Sequence, residues 1–183
     1  MPALPYFTAE MVRALPDDGK RYELFDGQLV VTPSPSAPHQ GVVTLLLEQF
    51  IPYLRASRGG CILTSPADLR LDGGQVAQPD LFVVPGAALP HSWDETPLPL
   101  LAIEVVSPST ARYDRVLKRR YYQRAGVAEF WVVDPDARLV ERWRPGDERP
   151  ELLDGRIEWQ PPSKAAPLVI DLQALFADLW EGR

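Results

Sequence analysis

The segment LLAIEVVSPST, residues 100–110, limits what this chain can fold into more than any other stretch. A near-continuous apolar run of strand length, cut off at Ser107-Pro108, reads as a β-strand buried on both faces. One carboxylate, Glu104, interrupts it. An ionised carboxylate is almost never fully buried alone, because desolvation either costs several kcal/mol or forces the group to neutralise. Either Glu104 faces water at an edge, or something positive meets it inside the protein.

The rest of the chain supplies the neighbours for such a strand. FTAEMVRAL, residues 7–15, predicts a short helix with Thr8 as N-cap. Tyr22 and Leu24 alternate with polar residues before Asp26-Gly27, and Leu29 and Val31 after it, which predicts a β-hairpin. Apolar residues at 42, 43, 45, 46, 47, 50 and 51 have helical spacing, and Pro52 is expected to kink or end that helix. CILTSPADLRL and QPDLFVVPG predict strands split by Asp72-Gly73-Gly74. STARYDRVLKRRYYQRAG predicts an amphipathic helix, capped by Ser109 or Thr110 and closed by Gly126. AEFWVVD, RLVERWR, ELLDG and PLVI predict further strands, and DLQALFADLW a last helix with Asp171 as N-cap. With no internal repeat and no linker, this is an α/β chain of the α+β mixed-sheet kind, helices flanking the sheet, in a single domain over residues 1–183.

Composition removes several classes. Twenty prolines against twelve glycines favour short elements with stiff joints. The apolar stretches fall short of the roughly 18 residues needed to span a bilayer, and the start MPALPYFTAE has neither the basic nor the apolar region of a signal peptide. The lone cysteine, Cys61, excludes an internal disulfide and a cysteine-based zinc site. The expectation is a cytoplasmic protein with no membrane partner. Net charge is −6, yet Arg112 to Arg124 holds six basic residues and one acid, Asp114. The sum argues against a surface that binds nucleic acid non-specifically everywhere, but distribution matters more, and this is a local basic stripe on an acidic protein.

The acids that end or interrupt apolar strands are Asp80, Glu104 and Asp134. Asp80 follows Pro79 at the head of one strand and Glu104 lies within the next. Two carboxylates on neighbouring strands can converge on one point and suit a hard divalent cation, since magnesium takes one or two protein carboxylates and completes its shell with water and phosphate oxygens. The alternative is that Asp80 caps a strand start and Glu104 pairs with an arginine. His39 opens the long helix after a proline-rich loop, where a neutral imidazole can accept a proton or contact phosphate; a helix cap or surface residue is its plainer role.

The order Pro-Asp, strand, Glu, strand, basic helix resembles the PD-(D/E)xK nuclease superfamily. More closely, RYELFDGQLVV, SPSAPHQ, PDLFVV and LAIEVVSPSTARYDRVLKRRYYQRAGVAEFWVVDP resemble the Uma family of restriction-endonuclease-like proteins, over nearly two-thirds of the chain. The resemblance implies a restriction-endonuclease-like core with an extra β-hairpin and C-terminal strands. It implies Asp80 and Glu104 as ligands of Mg2+ or Mn2+, a site role for Glu23 on the hairpin strand, and endonucleolytic hydrolysis of DNA phosphodiester bonds. The superfamily lysine two residues after the glutamate is Val106 here, which cannot stabilise an anion. Lys118 on the following helix is the substitute, at helical spacing from Asp114 and from Tyr121 or Tyr122. Arg112, Arg115 and Arg119 are expected to grip phosphates, with Tyr113, Tyr121 and Tyr122 stacking on bases, unless Tyr121 belongs to a buried face and the arginines are solvated. Two rivals stand beside DNA cleavage: a catalytically weak or inactive nuclease-fold module that binds nucleic acid or protein, and hydrolysis of RNA. A homodimer is a further expectation, since two sites cut both strands of a duplex.

Overall fold

In the computed structural model, residues 6–182 are described, apart from 17, 19, 33, 72, 73, 87, 90, 108–110 and 164. The chain opens with helix α1 (Ala9–Arg13), its N-terminus held by the Thr8 hydroxyl, which accepts from the Met11 N–H at 3.3 Å. Strands β1 (Arg21–Phe25) and β2 (Gln28–Thr32) form the predicted hairpin. Asp26 and Gly27 both take positive φ at its tip, as a two-residue turn that follows the strand twist demands.

Helix α2 (Ala37–Ser57) starts at the Ser36 cap and, contrary to expectation, runs unbroken past Pro52. Pro52 lies on the exposed side of the helix, while Phe50 and Leu54 on either side of it are buried in the core. Their burial outweighs the one backbone hydrogen bond that proline forfeits.

Six strands follow: β3 (Cys61–Thr64), β4 (Leu69–Leu71), β5 (Gln75–Ala77), β6 (Leu81–Val84), β7 (Leu101–Val105) and β8 (Glu129–Asp134). Between β7 and β8 lie a π-helical segment, Tyr113–Lys118, and helix α3 (Arg119–Ala125), closed by Gly126 at φ 82°. The predicted caps Ser109 and Thr110 fall outside the described residues. The chain ends with β9 (Leu139–Trp143), β10 (Glu151–Leu153), β11 (Arg156–Trp159), β12 (Leu168–Asp171) and helix α4 (Leu172–Glu181), whose cap Asp171 accepts from the Ala174 N–H at 3.0 Å.

The principal sheet has the order β10-β9-β8-β7-β6-β3, antiparallel except for the β7–β8 pair. That parallel pair needs a crossover, and the basic helical segment supplies it. Strand β7 lies inside the sheet, and its alternating side chains enter two cores. Leu101, Ile103 and Val105 pack with α2, α4 and the β11–β12 hairpin around Phe50, Trp131 and Trp159. Ala102 and Val106 join Phe130, Val132, Tyr121, Tyr122 and, from the smaller sheet β2-β1-β5-β4, Phe25, Val30 and Ala77. Glu104 has the parity of that second face, so the hairpin sheet and the crossover helix close over it. Val106 is one of its apolar floor residues rather than a charged group. Among the described residues no helix is long and apolar enough to cross a membrane.

Candidate functional site

The partner that Glu104 requires is Lys118. Its ammonium lies 3.0 Å from Glu104 Oε1, 3.0 Å from Glu23 Oε2 and 3.3 Å from Asp114 Oδ1, with only 3% of the residue exposed. The Tyr122 hydroxyl donates to the same Glu104 oxygen at 2.9 Å. Lys118, Asp114 and Tyr122 are spaced by four, as the helical reading expects, but the turn that carries the first two is wider than an α-helix. The Arg119 N–H bonds to the Asp114 carbonyl, five residues back. Such π-turns are uncommon and recur at functional sites. Here the turn brings Lys118 against Glu104 and Glu23.

The hairpin brings the second arm. Glu23, fully buried on β1, accepts from the Gln78 N–H at 2.8 Å through one oxygen and from the Thr32 hydroxyl at 3.4 Å through the other. Arg21, two residues earlier on β1, donates to Asp80 Oδ1 at 2.6 Å and to the Ser65 hydroxyl at 3.3 Å. The other Asp80 oxygen accepts from the Val105 N–H at 2.9 Å and lies 2.9 Å from His39 Nε2. Leu81 pairs with Ile103 across β6 and β7, which puts Asp80 and Glu104 side by side just beyond that pair.

Charge sets the character of this cluster. Four buried acids (Glu23, Asp80, Glu104 and Asp114) meet the guanidinium of Arg21 and the ammonium of Lys118, so acids outnumber the cations that face them. Burial pushes the Glu104 carboxyl well above its usual range, and the charges of Asp80, Asp114 and Glu23 push the same way against Lys118. Asp80 moves in the opposite direction. Burial would raise it, but the His39 contact and the charges of Arg21 and Lys118 outweigh burial and hold it well below the usual carboxylate range. Burial disfavours the charged Lys118, yet Glu104, Glu23, Asp114 and Asp80 together keep its ammonium protonated far above the ordinary lysine range. Because Asp80 stays ionised, the nitrogen of His39 facing it carries a proton. Nδ1 is buried and bonds to no described protein atom.

Asp80, Glu104, Lys118, Glu23 and His39 therefore gather in one place. Arg21, Tyr122 and Asp114 complete it. Sequence reasoning missed Arg21, although its position two residues before Glu23 on the same strand face was the available signal.

Two arginines of the basic stripe are otherwise engaged. Arg115 binds both Asp134, at 2.6 Å, and Glu141. The Arg119 guanidinium lies 4.5 Å over the Trp143 ring and donates to Gln123 at 3.3 Å. Arg112 is exposed. Tyr121 and Tyr122 are buried against Phe25 and Phe130, so neither is placed to stack on a base, while Tyr113 is exposed. Arg115→Ala is expected to cost about 1.5 kcal/mol of stability, from hydrogen bonds to charged groups at a half-buried site. Urea unfolding measures it, and an unchanged midpoint would show that Asp134 and Glu141 do not need it.

Among the described residues no three His, Cys, Asp or Glu side chains form a ready-made metal shell. That suits neither a closed zinc site nor a calcium cage. Two adjacent carboxylates in a cluster where acids outnumber cations do fit magnesium or manganese, which leave most positions to water and phosphate.

The family model "Uma2", described as "Putative restriction endonuclease", matches residues 9–180. No curated protein matches the chain. A crystal structure from Anabaena variabilis ATCC 29413, described as "a putative nuclease belonging to DUF820", superposes with a TM-score of 0.73. The two are 20% identical, over 94% of this chain and 99% of that one, a likeness that shows the shared fold.

Proposed function

The chain belongs to the Uma2 family, and on that premise we propose that it is a metal-dependent endonuclease hydrolysing DNA phosphodiester bonds at the Asp80–Glu104–Lys118 cluster. The observation that carries this reading is the buried ammonium of Lys118 on Glu104 Oε1, beside Asp80 on the next strand. Two carboxylates and a lysine meet there although the lysine comes from a different element than the superfamily order leads one to expect.

Asp80 and Glu104 would hold Mg2+ or Mn2+, which when bound supplies a water of lowered pKa and offsets charge on the phosphate. The chain's own residues do the rest. Lys118 provides a fixed positive charge next to the carboxylates, where negative charge grows on the phosphate oxygens. A preorganised donor of this kind is worth roughly 3–4 kcal/mol of barrier. Glu23 and Asp114 aim the ammonium from two sides, and Tyr122 fixes the rotamer of Glu104. His39, anchored through Nε2 on Asp80, keeps its other ring nitrogen free of protein partners, to exchange a proton with the attacking water or to contact the phosphate.

The test is cleavage of supercoiled plasmid in manganese, with a chelator as control and RNA as a parallel substrate. Chelator-sensitive nicking or linearisation of DNA is the expected result; cutting of RNA alone would replace the substrate. No cleavage together with no manganese binding in calorimetry would overturn the reading. One observation favours a second reading, a nuclease fold that binds without cutting: both Asp80 oxygens already accept hydrogen bonds within the protein. In that case Asp80 is a structural hub.

A further inference from the structure

Asp80 is reached from outside by one side of the cluster. A cleft of about 460 Å3 lies there between the first turns of α2 and the end of β3, with Lys20, Arg21, His39, Gln40, Ser65 and Asp80 among its walls. Two buried nitrogens on its wall residues, Arg21 Nε and His39 Nδ1, bond to no described protein atom. His39 is 6% exposed, so an unpartnered ring nitrogen there has a real desolvation cost. Lys20 is solvent-exposed, its ammonium paired with the exposed Asp18 at 2.6 Å, a contact that a stronger anion can displace at little cost. The Gln40 side chain is exposed one residue beyond His39. The α2 N-terminus, on a helix of 21 residues, adds its own positive end.

These features are those of a groove for a polyanion with one negative unit at a time. On the crossover helix Arg115 and Arg119 are already engaged with Asp134, Glu141, Trp143 and Gln123, while Arg112 and Arg120 stand exposed as the rival site. We propose that this cleft, and not the Arg112–Arg124 stripe, is where a phosphodiester strand enters. Lys20 and Gln40 contact the phosphates beside the one that reaches Asp80. Arg21 and His39 line the passage between them. The proposal rests on the nuclease reading above and names where its substrate binds. A single strand and one strand of an opened duplex present the same backbone to such a groove, so the shared ligand is the phosphodiester chain.

The experiment is fluorescence anisotropy with labelled single-stranded DNA, duplex DNA and RNA oligonucleotides, in calcium, across a salt series. Lys20→Glu combined with Gln40→Glu should weaken binding at least about tenfold, and Lys20→Ala alone should lower the salt slope by about one, the signature of one lost phosphate contact. Both residues are exposed, and an acid near a helix N-terminus is favourable, so Gln40→Glu alone keeps the fold intact. Arg112→Glu with Arg120→Glu, which reverses charge on the rival stripe, should bind as the wild type does. The cleft assignment is overturned, with the nuclease reading left standing, if the Lys20/Gln40 variant binds normally or the Arg112/Arg120 variant is the one that fails. Absence of binding by the wild type to all three oligonucleotides overturns both. Among the three, the tightest shows whether the groove takes a free strand or needs a duplex.

Discussion

Asp80→Asn is expected to reduce manganese-dependent cleavage by at least about a hundredfold, the scale on which losing one preorganised electrostatic group at a reacting phosphate is felt. The substitution keeps the shape of the side chain and removes its charge. Three consequences follow from the geometry. The carboxylate pair beside the β6–β7 register loses one member, so divalent-ion affinity falls with activity. The Arg21 guanidinium, 2.6 Å from Asp80 and largely buried, loses its counter-charge. His39 loses the acceptor for its Nε2 proton, and an asparagine facing Nε2 can flip to offer its N–H instead. Stability should therefore drop as well. The two readings of Asp80 part on the pattern of losses. If it is a structural hub alone, unfolding moves to lower urea while manganese binding by calorimetry stays at the wild-type value. If it is a ligand, binding collapses even under conditions where circular dichroism shows the variant fully folded.

How far the residues alone could lead is clearest at this cluster. The apolar run around Glu104 announced a strand buried on both faces, because alternating side chains must each find a core and none of the apolar ones had a polar face to occupy. The demand for a positive partner followed from desolvation, but a divalent cation or an arginine was the partner expected; Lys118 was indicated by the family resemblance, as the substitute for the lysine absent at Val106, and it is the group that meets Glu104. What spacing could not reveal was the π-turn, since a period of 3.6 and a local widening by one residue give nearly the same pattern over so few residues. Arg21 was hidden for a different reason. It meets its carboxylate across a sequence separation that only the fold closes, with β1 brought up to Asp80. Pro52 misled for a third reason, because a local rule about proline yields to the burial of Phe50 and Leu54. The basic stripe was legible as charge but not as function, since an arginine's neighbours decide whether its charge remains available.

Lys118→Met should be the most destabilising change at the site. Methionine matches the length and apolar stem of lysine and removes only the ammonium, leaving Glu23, Glu104 and Asp114 without the cation they share. Removing one partner of a buried ion pair costs about 3–5 kcal/mol. For a chain of this size that lowers Tm by roughly 6–20 °C. Part of the loss is absorbed because burial already favours a neutral Glu104, so protonation of that carboxyl relieves some of the repulsion. Glu23 faces Lys118 through one oxygen while the other accepts from the Gln78 N–H. Glu23→Gln added to Lys118→Met should then recover a substantial share of the stability, and the two substitutions should be strongly non-additive in a double-mutant cycle. Additive effects would mean that Lys118 and Glu23 do not act on each other through the 3.0 Å contact, and the cluster would have to be held by Tyr122 and Arg21 instead. Recovery of stability without recovery of cleavage is the outcome that separates the two jobs of Lys118, since the neutral amide and thioether of the double variant repair the electrostatics of folding and still offer no positive charge to a phosphate.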